Sequence, residues 1–275
     1  MVLVSGGIDI SFAAVASAAQ YLAADVGTKY GVLALPAIAL ACGFGGCLGM
    51  VNALSTYHLK VWSTIVTIVT IVTSSIYFAL LIRITGGSGI YDLPDWWTDK
   101  IVIARWDFGI GEFVRITLPI VVMAVVVIMT HVIMTATRIG RQIYALGGNH
   151  EAVSRIGFDV LRVQLFSYGY LGLLAGLAGF IQAHCVGQAV PTALAGSELN
   201  VLALAIRGGA SLAGGVGTMT GVLLGVLLLA MLQNGLNLIG VSSYFFDVVI
   251  GLTILTAIIV NSSLWRLRTR TGVAT

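Results

Sequence analysis

Few residues of this chain have the types and spacing that bond-making chemistry requires. None of the lysines (Lys29, Lys60 and Lys100) follows a glycine, so the sequence lacks the GxxxxGK[ST] loop that cradles nucleotide phosphates. The histidines stand far from one another, and none pairs at metal-ligand spacing with a cysteine or an acidic residue; a GxSxG motif is also absent. The sequence therefore predicts no catalytic residue, no metal site and no cofactor bound by this chain. We expect a protein that is not an enzyme.

Two acidic residues stand at the beginning of apolar runs, where a carboxylate has either a structural or a functional use. Asp9 follows Gly6 and Gly7, and Glu198 follows Ser197. A carboxylate or hydroxyl at such a position can cap the first turn of a helix. The alternative is a functional charge, because acidic groups within membrane segments are costly and often mark an ion or substrate path. The candidates for a structural or translocation-path role are Ser5, Gly6, Gly7, Asp9 and Glu198.

A polar, arginine-bearing segment at residues 137–160 interrupts the otherwise apolar sequence. Its helix signals predict a short amphipathic helix, with Asn149 as N-cap and Gly157 as the end. One or two helical turns are not stable alone, so their apolar stripe needs a surface to pack on. That surface is either the lipid headgroups or a docking protein partner, and the residues alone favour neither. The predicted helix comprises Asn149, His150, Glu151, Ala152, Val153, Ser154, Arg155, Ile156 and Gly157.

The elements around these residues are apolar runs of membrane-spanning length. The chain is 58% hydrophobic and 9% charged, whereas soluble domains carry roughly 25% charged residues. Runs of about 20 residues without period-two alternation predict helices, hence an all-α polytopic transmembrane bundle within a single domain, residues 1–275. The weakest runs, 8–25 and 199–213, are short enough to be broken or re-entrant helices. The seven or eight predicted segments are 8–25, 30–54, 61–84, 114–136, 161–184, 199–213, 217–239 and 243–262.

Charged residues in the loops predict the orientation of these segments. Residues 137–162 carry four arginines, and short basic loops lie on the cytoplasmic side. Residues 85–113 carry five acidic against two basic residues and are predicted to be an extracytoplasmic loop. Trp96, Trp97 and Trp106 in that loop would lie at the lipid interface. The net charge of +3 is dispersed along the chain, so nucleic acid is not an expected partner. Lipid is an expected partner, because the predicted helices are apolar.

Glycines recur at four-residue spacing in three of the apolar runs, a pattern that lets helix backbones approach closely in lipid. These pairs predict a tightly packed bundle, and a dimer seam at one of them is the alternative. The pairs are Gly45 with Gly49, Gly172 with Gly176, and Gly221 with Gly225.

Five stretches, in order along the chain, resemble motifs of the permease subunits of bacterial ABC sugar importers, the family of the ribose transporter permease. Any one of them is a weak signal, whereas five in order are specific. They are SGGIDIS at 5–11, TRIGRQIYALGGN at 137–149, GSELN at 196–200, GGASLAGG at 208–215 and QNGLNLIGVSSY at 233–244.

This resemblance implies a permease of the type II importer class in a bacterial inner membrane, with a sugar path where it dimerises with a second copy or a sister permease. It implies an ATPase subunit on the cytoplasmic side, which holds ATP and Mg²⁺, and a periplasmic or lipid-anchored sugar-binding protein outside. The helix at 149–157 becomes the coupling helix on which the ATPase docks. Family members also continue further before the SGGIDIS motif, so we expect an N-terminally truncated chain. The implied cytoplasmic loop motif comprises Arg138, Gly140, Arg141, Gly147 and Gly148.

A second hypothesis from another class stays open on the sequence. A secondary transporter or channel for a small polar solute would need no ATPase, and it would need a charge within the membrane for ion coupling. Asp9 is the candidate for that charge.

Overall fold

The computed structural model describes residues 1–58, 63–99, 101–107, 113–155, 157–242, 245, 248, 249, 251 and 252. Helices dominate this part, as the apolar runs predict, and one small β-hairpin accompanies them. The chain forms two compact units, residues 1–199 with 211–216 and residues 200–210 with 217–275. The elements are α1 (Phe12–Tyr30), α2 (Ala34–His58), α3 (Ser63–Thr85), α4 (Asp95–Thr98), β1 (Val102–Asp107), β2 (Phe113–Thr117), α5 (Leu118–Ala136), α6 (Arg138–Gly148), α7 (His150–Arg155), α8 (Val160–Val186), α9 (Ser197–Arg207) and α10 (Met219–Leu238).

Within the described residues, five helices are long and apolar enough to cross a membrane: α2, α3, α5, α8 and α10. They coincide with five of the predicted segments, and the ends differ by a few residues. The predicted segment 8–25 overlaps α1, which begins at Phe12 and is not among these five. The predicted segment 199–213 contains α9, whose 11 residues extend about 16 Å, half the thickness of the hydrocarbon core. The segment 243–262 lies almost wholly outside the described residues.

The predicted extracytoplasmic loop, residues 85–113, contains regular structure that the sequence analysis did not anticipate. It contributes β1 and begins β2, which pair antiparallel with Arg105 opposite Arg115. The membrane segment predicted from residue 114 therefore begins at Leu118 instead, because residues 113–117 belong to the hairpin. Both strands are rich in β-branched residues, which suit a pleated strand.

Trp97 corrects the expectation that the tryptophans of this loop lie at the lipid interface. Its side chain is 1% exposed and belongs to a core cluster formed with α1, α2 and α8. Its ring stacks on Phe180 with 4.3 Å between centroids, and its Nε1 donates to the Phe180 carbonyl oxygen at 3.2 Å. Paired backbone bonds of 2.9 Å between Ile90 and Ala189 add a second attachment. The loop is thereby fixed to the end of α8.

Helices α2 and α8 cross at the predicted glycines. A Cβ built on Gly45 would collide with the carbonyl oxygen of Gly172, and one built on Gly172 would collide with that of Gly45. Gly49 and Gly176 lie in the same crossing, where the carbonyl oxygens of Tyr168 and Ala41 leave no room for a Cβ. The third pair is also engaged within the chain, since a Cβ on Gly221 would meet the carbonyl oxygen of Gly208. All three pairs thus serve packing inside one chain.

Candidate functional site

The arginine-bearing segment begins with a sharp turn between α5 and α6. The Thr137 hydroxyl donates to the Ile133 carbonyl oxygen at 2.6 Å and accepts from the Gly140 amide at 3.1 Å. It therefore closes one helix and caps the next. A Cβ on Gly140 would collide with the last carbonyl oxygens of α5, those of Ile133 and Met134. A glycine at this position lets α6 turn back against α5.

Helix α6 is amphipathic, with the arginines of the predicted loop motif on its exposed face and apolar residues on its buried face. Arg138 and Arg141 are exposed on one face, whereas Ile143 and Leu146 are buried on the other. The buried face joins a hydrophobic cluster that also contains residues from the N-terminal segment and from α5, α7 and α8. The cluster comprises Val4, Met134, Ile143, Leu146, Val153 and Val163.

Helix α7 has the cap and the end that the sequence predicts. The Asn149 Oδ1 accepts from the amide of Ala152 at 2.9 Å, and Gly157 adopts a left-handed φ of +84°. Val153 is 4% exposed and anchors the helix in the cluster, whereas Asn149 and His150 are exposed. The described residues thus show a short helix anchored at Val153 and exposed at its N-terminus. The side chains of Glu151, Ser154 and Arg155 and all of Ile156 lie outside the described residues.

A second capped turn follows α7 and ends the arginine-bearing segment at the start of α8. Asp159 Oδ1 accepts from the Arg162 amide at 3.2 Å, which caps α8. The Arg162 Nε also lies 2.7 Å from Asp159 Oδ2, with both side chains largely exposed. An exposed ion pair of this kind contributes little stability. Helix α7 therefore stands between two polar turns.

The N-terminal motif forms a buried non-helical segment instead of the start of a helix. Residues 1–11 run through turns before α1 begins at Phe12, and Ser5 and Asp9 within them are buried. The Thr70 hydroxyl of α3 donates to the Ile8 carbonyl oxygen at 3.1 Å and accepts from the Ile10 amide at 3.3 Å. Irregular backbone at membrane depth needs such partners, because lipid supplies none. The segment 8–25 is thus an unwound stretch followed by a helix.

Asp9 does not cap α1 in the way the sequence suggests. Its Oδ1 accepts from the amide and the hydroxyl of Ser11 at 2.7 and 2.6 Å, and Ser11 is itself the N-cap residue. Asn52 Nδ2 donates to the Ser11 hydroxyl at 2.5 Å, and the Tyr77 hydroxyl donates to Asn52 Oδ1 at 3.2 Å. The carboxylate therefore ends a buried polar network that joins the N-terminal segment to α2 and α3. The sequence analysis missed Asn52, although an amide within an apolar run is a recognisable signal.

Glu198 lies in the first turn of α9, as predicted. The Ser197 hydroxyl, however, donates to the Leu194 carbonyl oxygen at 2.6 Å, so the predicted cap contact is not seen. Among the described residues, the Glu198 Oε2 is buried and has no hydrogen-bond partner.

Three of the motifs meet in backbone contact in the first compact unit. Gly6, Gly147 and Gly214 approach so closely that a Cβ on Gly214 would lie 2.7 Å from the Gly6 Cα and 2.9 Å from the Gly147 carbonyl oxygen. The Gly215 amide donates to the Val4 carbonyl oxygen at 2.8 Å. We call Gly6, Gly147, Gly214 and Gly215 the glycine junction. It brings together residues more than 200 positions apart in the sequence.

No group of three or more potential metal ligands occurs within the described ranges. The site consists of helix termini, backbone contacts and a hydrogen-bonded polar network. Such an arrangement can position helices relative to one another.

The described part of the chain contains five apolar helices of membrane-spanning length. It also contains a short capped helix beside an arginine-bearing turn and a buried unwound segment. These are features of a polytopic membrane protein. The sequence model of one family, described as "branched-chain amino acid transport system / permease component", matches residues 1–258. The chain belongs to this permease family. It is a multi-pass protein of the inner membrane.

Curated relatives support the same assignment. The ribose import permease protein RbsC of Escherichia coli (strain K12) is 36% identical over 267 residues, which cover 95% of this chain and 79% of the relative. RbsC of Bacillus subtilis (strain 168) is 36% identical over 260 residues, 94% of this chain and 78% of the relative. The galactose/methyl galactoside import permease protein MglC of Haemophilus influenzae is 29% identical over 263 residues, 94% of this chain and 77% of the relative. No solved structure matches the chain.

Proposed function

We propose that this chain is the transmembrane permease subunit of an ATP-binding-cassette importer for a ribose-like monosaccharide. Similarity to two ribose permeases over 94–95% of the chain supports the sugar class. The family description mentions branched-chain amino acids, whereas the relatives that match nearly the full chain are named for ribose and galactose. We therefore favour a monosaccharide over an amino acid as the transported solute.

Helix α7 is the site at which we propose that a separate ATPase subunit docks. The geometry of α7 supports docking at this helix. The helix is capped, its Asn149 and His150 are exposed, and its buried Val153 anchors it in the hydrophobic cluster. An anchored helix moves as a unit when a partner pushes it, whereas an unanchored one would fray. ATP and Mg²⁺ are then held by the partner, and this chain contributes movement only.

The remaining proposed partners are a sugar-binding protein outside the membrane and a second permease subunit. Both follow from the importer class. The glycine pairs are engaged within the chain, so they do not provide the dimer contact.

The proposal is tested with the permease, its ATPase and its sugar-binding protein reconstituted in proteoliposomes. Replacing Glu151 and Arg155 together by alanine is expected to leave the permease inserted and to abolish sugar-stimulated ATP turnover. Arg162→Ala is the matched control, because Arg162 is an exposed arginine outside α7. Full turnover in the double variant, with the ATPase still bound, would contradict docking at α7.

The same preparation separates the importer from the ATPase-independent alternative. Sugar uptake by the permease alone, driven by a proton or sodium gradient and lost in Asp9→Asn, would replace the importer proposal with a secondary transporter. Uptake that requires both the ATPase and ATP supports the importer.

A further inference from the structure

The glycine junction is a contact between backbones, and it leaves no space for a side chain at Gly147 or Gly214. A Cβ on Gly147 would collide with the Val4 carbonyl oxygen and lie 2.5 Å from the Gly215 amide nitrogen. A Cβ on Gly215 would lie 3.1 Å from the Gly148 Cα. Gly6 and Gly214 also have φ values of +86° and +84°, which only glycine adopts readily. The junction therefore joins three chain segments without a flexible group between them.

On one side the junction is continuous with α7. Gly147 belongs to the last turn of α6, and Asn149, two residues later, caps α7. Val153 of α7 and Val4 of the N-terminal segment also lie in one buried cluster. The cluster keeps α7 packed beside the N-terminal segment, and the backbone contact at the junction is the route by which a displacement of α7 reaches that segment.

On the other side the junction leads into the buried polar network and into the second half of the chain. The Gly6–Gly7 dipeptide directly precedes the unwound stretch whose Asp9 is hydrogen-bonded to Ser11, and through it to Asn52 of α2. Residues 211–216 are covalently continuous with α9, which ends at Arg207, and with α10, which begins at Met219. Motion at the junction thus acts on segments beyond α7.

We infer that the glycine junction is the positioning element through which a displacement of α7 moves the unwound segment 4–11 and the loop 211–216. The inference deepens the proposed function and rests on it. Close-packed contacts of this kind transmit shifts because they are not continuously deformable.

The discriminating variants are neighbours in the sequence. Gly147→Ala adds a methyl group that has no space, whereas Gly148→Ala adds one that meets nothing within 4 Å. Neither glycine has a positive φ, so the pair differs in steric contact only. Leu146→Ala is a third variant; it weakens the buried cluster to which Leu146 belongs and leaves the junction intact.

In the reconstituted complex, Gly147→Ala is expected to retain the bound ATPase and basal ATP hydrolysis. Its sugar-stimulated turnover and uptake per ATP should fall roughly tenfold, within the usual range of coupling between two sites. Gly148→Ala should couple normally. Leu146→Ala should lower the amount of folded protein without lowering uptake per ATP. Normal uptake per ATP in Gly147→Ala, or an equal loss in Leu146→Ala, would overturn the inference.

A measurement on the unaltered complex covers the case in which Gly147→Ala fails to fold. Hydrogen–deuterium exchange is compared between the resting complex and the complex trapped with ATP and vanadate. Peptides covering 1–11 and 211–216 should change together with the peptide covering 147–155. Change confined to 147–155 would overturn the junction as a coupling element and leave docking at α7 intact. No change at 147–155, with the ATPase bound, would instead contradict the proposed docking.

Discussion

The crossing of α2 and α8 leaves no space for a methyl group, and this gives a stability prediction with an internal control. A Cβ on Gly172 would collide with the Gly45 carbonyl oxygen and lie 3.0 Å from both the Gly45 carbonyl carbon and the Gly49 Cα. Every one of these neighbours is a backbone atom, so no rotamer change can relieve the contact. Gly172→Ala therefore forces the two helices apart.

The magnitude follows from two opposing terms. Alanine is favoured over glycine in a helix by up to about 1 kcal/mol. Overpacking typically costs about 1–3 kcal/mol, and sometimes more. Since separating two helices also loosens the contacts of Gly49 and Gly176, we expect the upper part of that range and a net loss of about 1–2 kcal/mol.

Gly46→Ala is the matched control on the same pair of helices. Its Cβ would lie 3.7 Å from the Gly169 carbonyl oxygen and 3.8 Å from the Leu173 Cβ, both ordinary contacts. Only the helix-propensity term remains, so this variant should be as stable as the wild type or more stable by up to about 1 kcal/mol.

The assay is reversible unfolding of the purified permease in bicelles, followed for the wild type and both variants under one condition. The expected result is opposite signs, with Gly172→Ala destabilised and Gly46→Ala neutral or stabilised. Equal stability of the two variants would refute the view that these glycines are required for backbone approach.

Three further predictions concern single side chains. Asn149→Ala should cost about 0.5–2 kcal/mol of α7 helix stability, because it removes the acceptor of the Ala152 amide, whereas Asn149→Gly should cost only a few tenths of a kcal/mol. The loss is measured as faster amide hydrogen exchange at Ala152. Equal exchange rates in the two variants would contradict the role of Asn149 as the cap. Tyr77→Phe should destabilise the folded permease by about 0.6 kcal/mol, the average for a side-chain hydrogen bond in a membrane protein, because it removes the hydroxyl that donates to Asn52. Thermal unfolding in detergent measures the loss. A loss above about 2 kcal/mol would contradict a contribution limited to this one hydrogen bond. Trp97→Phe should lower the stability of the folded permease by about 1–3 kcal/mol, because it removes packing contacts and the hydrogen bond to the Phe180 carbonyl oxygen. The loss should appear as faster proteolysis of the 85–113 loop. Proteolysis at the wild-type rate would contradict the buried position of the Trp97 ring.

The membrane helices and the short helix α7 could be predicted because their signals are local. An apolar run of sufficient length predicts a membrane-spanning helix whatever the rest of the fold is. Asn149 and Gly157 lie within nine residues of each other and mark the two ends of α7. The glycine pairs predicted close packing for the same reason, although the sequence did not specify which helix each would meet.

The unpredicted features depend on contacts between distant residues. The pairing of β1 with β2 is a contact between two strands, and their sequences read equally well as a loop with a few β-branched residues. Trp97 is buried because Ile90 and Ala189 fix its loop to α8, and nothing local to the tryptophan indicates this. The same applies to the glycine junction, whose members are recognisable as glycine-rich motifs but whose meeting is a property of the fold.

Photo-cross-linking from position 150 identifies what contacts α7 in intact cells. The exposed His150 at the start of α7 would be replaced by a photoreactive residue in cells that also express the ATPase and the sugar-binding protein, with Arg162 as the control position. We expect an adduct with the ATPase from position 150, and we expect its yield to change when ATP is trapped. Adducts with lipid alone from position 150, in cells that import the sugar, would contradict it.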